Sequence, residues 1–172
     1  MNDVNPGQPE VNRPNVLLIL LDDVGFGGPS AFGGPCETPH AERLAAEGVC
    51  YPRFHVCGLC APTRQALLTG RNHHAVGMGT TPEMIRDYPG YSARRPPSAA
   101  TLAQILGRNG YATAAIGKWH QTPPHEVGPL GPFDRWPTHE GFDHFYGFMG
   151  AEMDHWNPLL YDGTRPVEPA RH

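Results

Sequence analysis

Runs of apolar residues mark three predicted strands, which are separated by long polar loops. Residues 16–21 are uninterrupted apolar and end at Asp22 and Asp23. Such a run is typical of a strand covered on both faces, so it predicts a buried parallel strand. Shorter apolar stretches predict a second strand over residues 49–56 and a third over residues 111–116.

Capping residues place two helices between these strands. Thr38 and Pro39 suit the N-cap and first turn of a helix that Gly48 ends. Ser98 suits the N-cap of a later helix, which carries an apolar stripe and ends at Asn109. The alternation of helices and strands predicts an α/β fold.

A further helix begins beside a cysteine, in the segment CAPTRQALLTGR over residues 60–71. Pro62 suits the first helical turn, and Gly70 suits the left-handed position just past the end. Cys60 therefore lies near unpaired backbone N–H groups and the positive end of the helix dipole, with Arg64 one turn along. This arrangement predicts an anion site beside the sulfur.

Composition and charge indicate one folded domain with no nucleic-acid surface. The chain has 172 residues, and 13 Lys and Arg against 17 Asp and Glu give a net charge of −4 without a charged run. The 21 glycines and 20 prolines show no period, which favours long ordered loops over disorder. Residues 71–97 predict a surface loop that carries site residues.

The beginning of the sequence has the features of a polar lead. Residues 1–14 are predicted to be flexible, and no export signal or membrane-length apolar run follows them. We therefore expect a cytoplasmic protein with no membrane partner. Its four cysteines, at positions 36, 50, 57 and 60, are then expected to be reduced thiols.

Polar side chains that could bind ligands or transfer protons follow two of the predicted strands. Asp22 and Asp23 follow the first, where their oxygens suit a hard cation, although a solvated turn or a helix cap is the better explanation of such a pair taken alone. Lys118 and His120 follow the third and suit an anionic ester with proton transfer. Ligands of open α/β sheets bind at the carboxyl ends of strands, so both pairs are predicted to face one crevice.

The cysteines leave a non-enzymatic alternative open. Cys57 and Cys60 form a Cys-x-x-Cys pair, which is half of a common zinc site or a redox dithiol. Thirteen residues lie between Cys36 and Cys50, which precede it, and this spacing is far from that of a usual second pair. A four-cysteine zinc-binding module therefore stays as the alternative from another class.

In combination, these segments resemble the type I sulfatases of the alkaline phosphatase-like superfamily, and most closely the bacterial arylsulfatases. The resemblance runs from about residue 15 to the end of the sequence. Its motifs are LLDDVG at 20–25, the Cys-x-Pro-x-Arg signature at 60–64, LTGR at 68–71, GKWH at 117–120 and GFD at 141–143.

The resemblance implies a partial α/β sandwich of the alkaline phosphatase-like type. Its central sheet is expected to be mostly parallel or mixed and flanked by helices. Residues 15–172 then correspond to the N-terminal portion of a sulfatase catalytic domain, truncated at the C-terminus. We expect this chain alone to bind Ca²⁺ weakly and to hydrolyse little substrate.

The resemblance also implies the catalytic chemistry. A separate formylglycine-generating, or sulfatase-maturing, enzyme would oxidise Cys60 to formylglycine, the nucleophile toward a small-molecule sulfate ester. Arg64 would hold the formylglycine hydroxylate, His120 would exchange its proton, and Lys118 would bind the sulfate. The nearest alternative activity is hydrolysis of a phosphonate or phosphate monoester within the same superfamily.

A divalent cation completes the implied site. In the sulfatases it is usually Ca²⁺, and the residues here that match its ligands are Asp22, Asp23 and the modified Cys60. The remaining metal ligands, together with a further Lys and a substrate His, are expected beyond residue 172.

Overall fold

The computed structural model describes residues 13–169, and within them the chain divides into two compact units. The units are Met1–Cys50 and Tyr51–His172. The predicted flexible lead lies almost wholly outside the described residues, and the predicted domain limits stay predictions. Over residues 13–169, no helix combines the length and the apolar character that a membrane crossing needs.

The N-terminal unit contains a 3-10 helix, Ser30–Phe32, and helix α1, Pro39–Glu47. Thr38 occupies the N-cap and Gly48 the C-cap, which confirms the predicted helix. The Thr38 side chain, however, does not cap the helix. Its Oγ1 lies 3.0 Å from Ser30 Oγ, which also accepts a 2.7 Å hydrogen bond from the Thr38 amide. The threonine therefore closes the preceding loop.

Two of the three predicted strands do not form, so these predictions were wrong. Residues 16–21 and 49–56 adopt no strand and are exposed, with Leu17 at 84% and Phe54 at 76%. A strand needs a neighbour to bond its backbone N–H and C=O groups, and no segment within residues 13–169 pairs with either run. The apolar composition of these two runs indicated burial, but it did not provide a neighbouring strand for their backbone groups.

The described residues of the C-terminal unit contain two α-helices, three short 3-10 helices and a mixed four-stranded sheet. The strand order is β1-β2-β3-β4, with β1 and β2 parallel and the other neighbours antiparallel. The elements are α2 Cys60–Thr69, α3 Leu102–Arg108, β1 Ala114–Lys118, β2 His144–Phe148, β3 Leu160–Asp162 and β4 Arg165–Val167. Helices beside a mixed sheet confirm the predicted α/β class.

The helix boundaries depend on local capping. Gly70 follows α2 with φ 64°, as the sequence predicts. The N-cap of α3 is Thr101, so the prediction of Ser98 was wrong. Thr101 Oγ1 accepts from the Gln104 amide at 3.1 Å, and the Thr101 amide donates to Gln104 Oε1 at 3.0 Å. This reciprocal capping box starts the helix three residues later than predicted.

The main core packs on one face of the sheet and holds the chain just after β1. It consists of Trp119, Trp136, Phe145, Met149 and Tyr161, with the rings of Trp136 and Tyr161 edge to face at 4.8 Å. The opposite face carries Ile116 and its register partner Tyr146, which are 82% and 43% exposed. Burial of Trp119 fixes the backbone between Lys118 and His120.

We predict that Gly147→Ala destabilises the sheet. Gly147 pairs with Gly117 across β1 and β2, and a Cβ at position 147 would overlap the Gly117 carbonyl group. Because backbone atoms must move to relieve the overlap, we expect the free energy of unfolding in urea to fall by about 1–3 kcal/mol.

Gly107→Ala in α3 is the matched control. A Cβ at position 107 meets nothing within 4 Å, and alanine is the better helix former, so the free energy of unfolding should stay unchanged or rise by up to about 1 kcal/mol. Equal stability of the Gly147→Ala variant and the wild type would contradict the close approach of β1 and β2.

Candidate active site

Cys60 is the first residue of α2, and the turn before it is fixed by hydrogen bonds. Thr63 Oγ1 donates to the carbonyl oxygens of Leu59 at 2.8 Å and of Cys57 at 3.0 Å. Ala61 is fully buried, whereas Cys60 itself stays partly exposed. The helix is thus anchored by its first turn while the side chain at residue 60 remains accessible.

The chain leaves β1 through an unusual backbone conformation. Gly117 has φ 96°, and His120 has φ 54° although its side chain is buried. The left-handed region costs a residue other than glycine about 1–2 kcal/mol. A 3.1 Å hydrogen bond from the His120 amide to the Met149 carbonyl helps to hold it there. Such conformations cluster at functional sites.

Three hydrogen bonds join the start of α2 to this end of β1. Cys60 Sγ lies 3.2 Å from His120 Nδ1, and Arg64 Nη1 donates to the Lys118 carbonyl at 2.8 Å. Gln121 Nε2 donates to the carbonyl oxygens of Ala61 at 3.1 Å and of His120 at 2.7 Å. The structure therefore brings together the four residues that the sequence analysis selected here, namely Cys60, Arg64, Lys118 and His120.

Glu83 also belongs to this site, and the sequence analysis missed it. It lies in the 3-10 helix Pro82–Met84, and its Oε2 and Oε1 are 3.0 and 3.1 Å from His120 Nε2. The loop over residues 71–97 was expected to carry site residues. Nothing local distinguishes Glu83 from a surface carboxylate, because its partner is 37 residues away in the sequence.

Burial and neighbouring charges determine the ionisation of His120 and Glu83. Burial lowers the pKa of His120; the hydrogen bond and charge of Glu83 oppose this, and the charges of Lys118 and Arg64 reinforce it. Burial by itself would raise the pKa of Glu83, but hydrogen bonds from His120 and from the backbone outweigh it and lower that pKa. Near neutral pH the pair is therefore a carboxylate and a neutral imidazole.

The predicted metal ligands Asp22 and Asp23 lie in the N-terminal unit, where Asp23 has φ 52°. Their carboxylates are hard donors of the kind that Ca²⁺ prefers, but Ca²⁺ takes six to eight oxygens. Across residues 13–169, no three His, Cys, Asp or Glu side chains form a group suited to a metal ion. The predicted crevice shared with Lys118 and His120 stays a prediction.

The same finding bears on the zinc alternative. All four cysteines are free thiols, and Cys36 and Cys50 are exposed. A structural zinc site needs four ligands in a tetrahedral arrangement, and no group of even three is found over residues 13–169. The thiol of Cys60 contacts His120 instead. The geometry gives no support to a four-cysteine module.

Comparison with known families identifies this arrangement. A family model described as sulfatase matches residues 14–169, which is nearly the whole chain. The chain belongs to the sulfatase family. This confirms the resemblance that the motifs around Cys60 and His120 indicated.

Individual sulfatases are similar to the chain over most of its length. Arylsulfatase A of Bos taurus is 41% identical over 143 residues, which cover 82% of this chain and 26% of the relative. The arylsulfatase of Klebsiella aerogenes is 34% identical over 154 residues, covering 88% and 32%. This sulfatase chain therefore spans about a quarter to a third of these relatives.

A solved structure extends the similarity to the fold. The sulfatase from Pseudoalteromonas sp. superposes with a TM-score of 0.61 at 30% identity, covering 83% of this chain and 27% of that one. The α/β architecture is accordingly that of the alkaline phosphatase-like sulfatases, as predicted from the sequence.

We predict that protonation of His120 destabilises this sulfatase chain. Its pKa is lowered in the folded state, so the unfolded state binds the proton at higher pH. The contribution of neutral His120 to the free energy of unfolding is complete above the unfolded histidine pKa of about 6.5. It is lost as the pH falls toward the lower pKa of His120 in the folded state. Urea unfolding of the wild type across this range should show the loss.

His120→Gln provides the comparison, since glutamine does not titrate. The difference between the two unfolding free energies removes the contributions of the other histidines. We expect this difference to shrink as the pH falls. Parallel pH profiles for the two proteins would contradict the lowered pKa of His120.

Proposed function

We propose that this sulfatase chain supplies the nucleophile and its proton-exchanging partner in the hydrolysis of a sulfate monoester, an aryl sulfate in the first instance. The products are an alcohol or phenol and sulfate. The observation that carries the proposal is the 3.2 Å contact between Cys60 Sγ and His120 Nδ1, at the start of a helix with the Cys-x-Pro-x-Arg signature. Similarity to two arylsulfatases supports the aryl substrate class.

Residue 60 is proposed to act after modification. Formylglycine, made from Cys60 by a separate maturing enzyme, would supply a hydrated aldehyde as the nucleophile toward the sulfur of the ester. The ester S–O bond would break to release the alcohol, and the second hydroxyl group would then expel sulfate and restore the aldehyde. The position of Cys60 suits this role, because it is partly exposed while Ala61 and Pro62 behind it are buried. The first turn of α2 thus presents residue 60 to a small ester from a fixed backbone.

Two cations are proposed to bind the negative charge of the sulfate and of the hydroxylate at residue 60. The Arg64 guanidinium is oriented by its hydrogen bond to the Lys118 carbonyl, so its position is coupled to the end of β1. Lys118 is the last residue of that strand. Preorganised cations beside a developing anion stabilise a transition state without reorganisation of solvent.

His120 is proposed to move the proton. Nδ1 is the ring nitrogen that faces residue 60, and burial keeps the ring neutral near neutral pH. A neutral imidazole within hydrogen-bond distance accepts a proton from a hydroxyl group on residue 60 and passes it on to a departing oxygen, that of the alcohol or of sulfate. The buried, left-handed backbone at His120 holds the ring in place for both transfers.

Calcium is proposed to bind through Asp22 and Asp23 with the modified residue 60, as in the sulfatase resemblance. The two carboxylates have suitable donor chemistry, but the described residues contain no group of three ligands and do not make up a calcium shell. We therefore assign no catalytic step to the cation. The maturing enzyme is a proposed partner, and the cytoplasmic location stays a prediction from the sequence.

The proposal predicts a mass change at residue 60 and a matching activity. When the protein is produced with a sulfatase-maturing enzyme, a peptide spanning residue 60 should be lighter by the difference between CH₂SH and CHO. The modified protein should hydrolyse 4-nitrophenyl sulfate slowly, in line with the expectation that this chain alone hydrolyses little substrate, and Cys60→Ala should abolish both the mass change and this residual activity.

Cys57→Ala is the matched control, because it removes a thiol three residues earlier and keeps the carbonyl that Thr63 contacts. It should retain the modification and the activity. Unmodified Cys60 in an active protein would contradict the mechanism. A phosphonate monoester hydrolysed with a higher kcat/KM than the sulfate would reassign the substrate to the alternative activity.

A further inference from the structure

We propose that Glu83 is the positioning residue for His120. Its carboxylate accepts a hydrogen bond from Nε2–H and so keeps the lone pair of Nδ1 directed at residue 60. The catalytic consequence rests on the function proposed above, whereas the positioning itself does not. No sequence motif and no comparison assigns a role to Glu83.

The imidazole ring is held from both nitrogens. Both oxygens of Glu83 lie within 3.1 Å of Nε2, and Cys60 Sγ lies 3.2 Å from Nδ1 on the other side. An ionised carboxylate has no proton to donate, so the proton of this hydrogen bond belongs to Nε2. In a neutral ring Nδ1 is then the acceptor, and the Cys60 thiol is its donor.

No other side chain competes for this role in the part of the chain that the structure describes. Lys118 and Arg64 are cations and have no acceptor to offer the ring. Gln121 donates through Nε2 to the backbone carbonyl of His120, not to its ring. Across residues 13–169, Glu83 is the acidic group that contacts the imidazole.

The backbone around Glu83 is anchored, although its side chain is 45% exposed. Pro82 before it is buried, and Ile85 after it packs on a small buried cluster. That cluster consists of Ala61, Met78 and Ala93. Since Ala61 follows Cys60 in α2, the same cluster locates both residues that bond to the ring.

Backbone hydrogen bonds also close the loop that carries Glu83. The Gly79 amide donates to the Gly90 carbonyl at 2.7 Å, and the Arg86 amide donates to the Tyr91 carbonyl at 3.1 Å. Because the backbone of this loop is closed, a carboxylate on it loses only side-chain freedom when it binds the ring, which suits a positioning residue.

Loss of the carboxylate should change which nitrogen carries the proton. Nε2–H would lose its acceptor inside a buried site, which is unfavourable, and the Nδ1–H form would gain population. Nδ1 would then donate toward residue 60 and could not accept its proton. Outer partners that orient a metal-bound histidine are typically worth about 10–100-fold in function, and we expect a loss of similar order here.

The experiment is long-range ¹H–¹⁵N NMR on the histidine-labelled chain with unmodified Cys60, recorded at about pH 8, above the ordinary histidine pKa. The His120 signals are assigned by their loss in His120→Gln. We expect protonated Nε2 and unprotonated Nδ1 in the wild type. A wild-type proton on Nδ1 would overturn the proposal, whether or not any Glu83 variant folds.

Variants at position 83 distinguish the effect of the carboxylate on the His120 tautomer from the effect of the surrounding residues. Glu83→Ala should populate the Nδ1–H form, whereas Glu83→Gln retains an acceptor oxygen and should keep the proton on Nε2. Glu152→Ala removes an exposed carboxylate of the same unit and should leave the spectrum unchanged. An unchanged tautomer in a folded Glu83→Ala variant would overturn the proposal.

Kinetics of the protein carrying formylglycine test the consequence. In Glu83→Ala we expect kcat to fall about tenfold or more with little change in KM, and in Glu83→Gln we expect partial recovery. Unchanged kcat in Glu83→Ala would overturn the catalytic part. If the wild type hydrolyses no sulfate ester, the proposed function fails, and the NMR result still decides whether Glu83 positions His120.

Discussion

The site depends on the burial of His120 in a left-handed backbone conformation. Desolvation of the imidazole and the positive φ angle are both unfavourable, so they persist only where other contacts offset them. Here both ring nitrogens have partners, the amide bonds to Met149 and the carbonyl accepts from Gln121. Three distant parts of the chain, at Cys60, Glu83 and Met149, therefore meet at this one residue.

The sheet supports that residue from one side. Parallel pairing of β1 with β2 fixes the position at which β1 ends relative to β2. The close approach of Gly117 and Gly147 leaves little room for a shift of register between the two strands. The buried Trp119 then fixes the backbone between Lys118 and His120. The main contribution of the fold to the site is therefore to fix the position of the backbone at the end of β1.

Much of this site was predictable because its signals are local. Pro62 and Gly70 mark the limits of α2 through backbone chemistry, and the motif around Cys60 carries its own family signature. Glu83 was not predictable, because its contact with His120 joins an irregular loop to a strand end without any periodic pattern. Distant partners of this kind leave no trace in local propensity.

The two wrong strand predictions show that a clear local pattern can also mislead. An apolar run reports a preference for burial, but the backbone partner that makes it a strand lies elsewhere in the sequence. Residues 16–21 have the composition of a strand and no pairing within residues 13–169. The Thr101 capping box likewise displaced the predicted Ser98, because reciprocal bonding to Gln104 is stronger than a single cap.

The small cluster of Ala61, Met78 and Ala93 has a consequence for the way the site is lost. It packs the first turn of α2 against the loop that carries Glu83, so we expect these two parts to open together. An opening of the loop removes the carboxylate and uncovers the residue next to Cys60 in the same event. We therefore expect disorder in this loop to weaken the support of His120 and the packing behind Cys60 together.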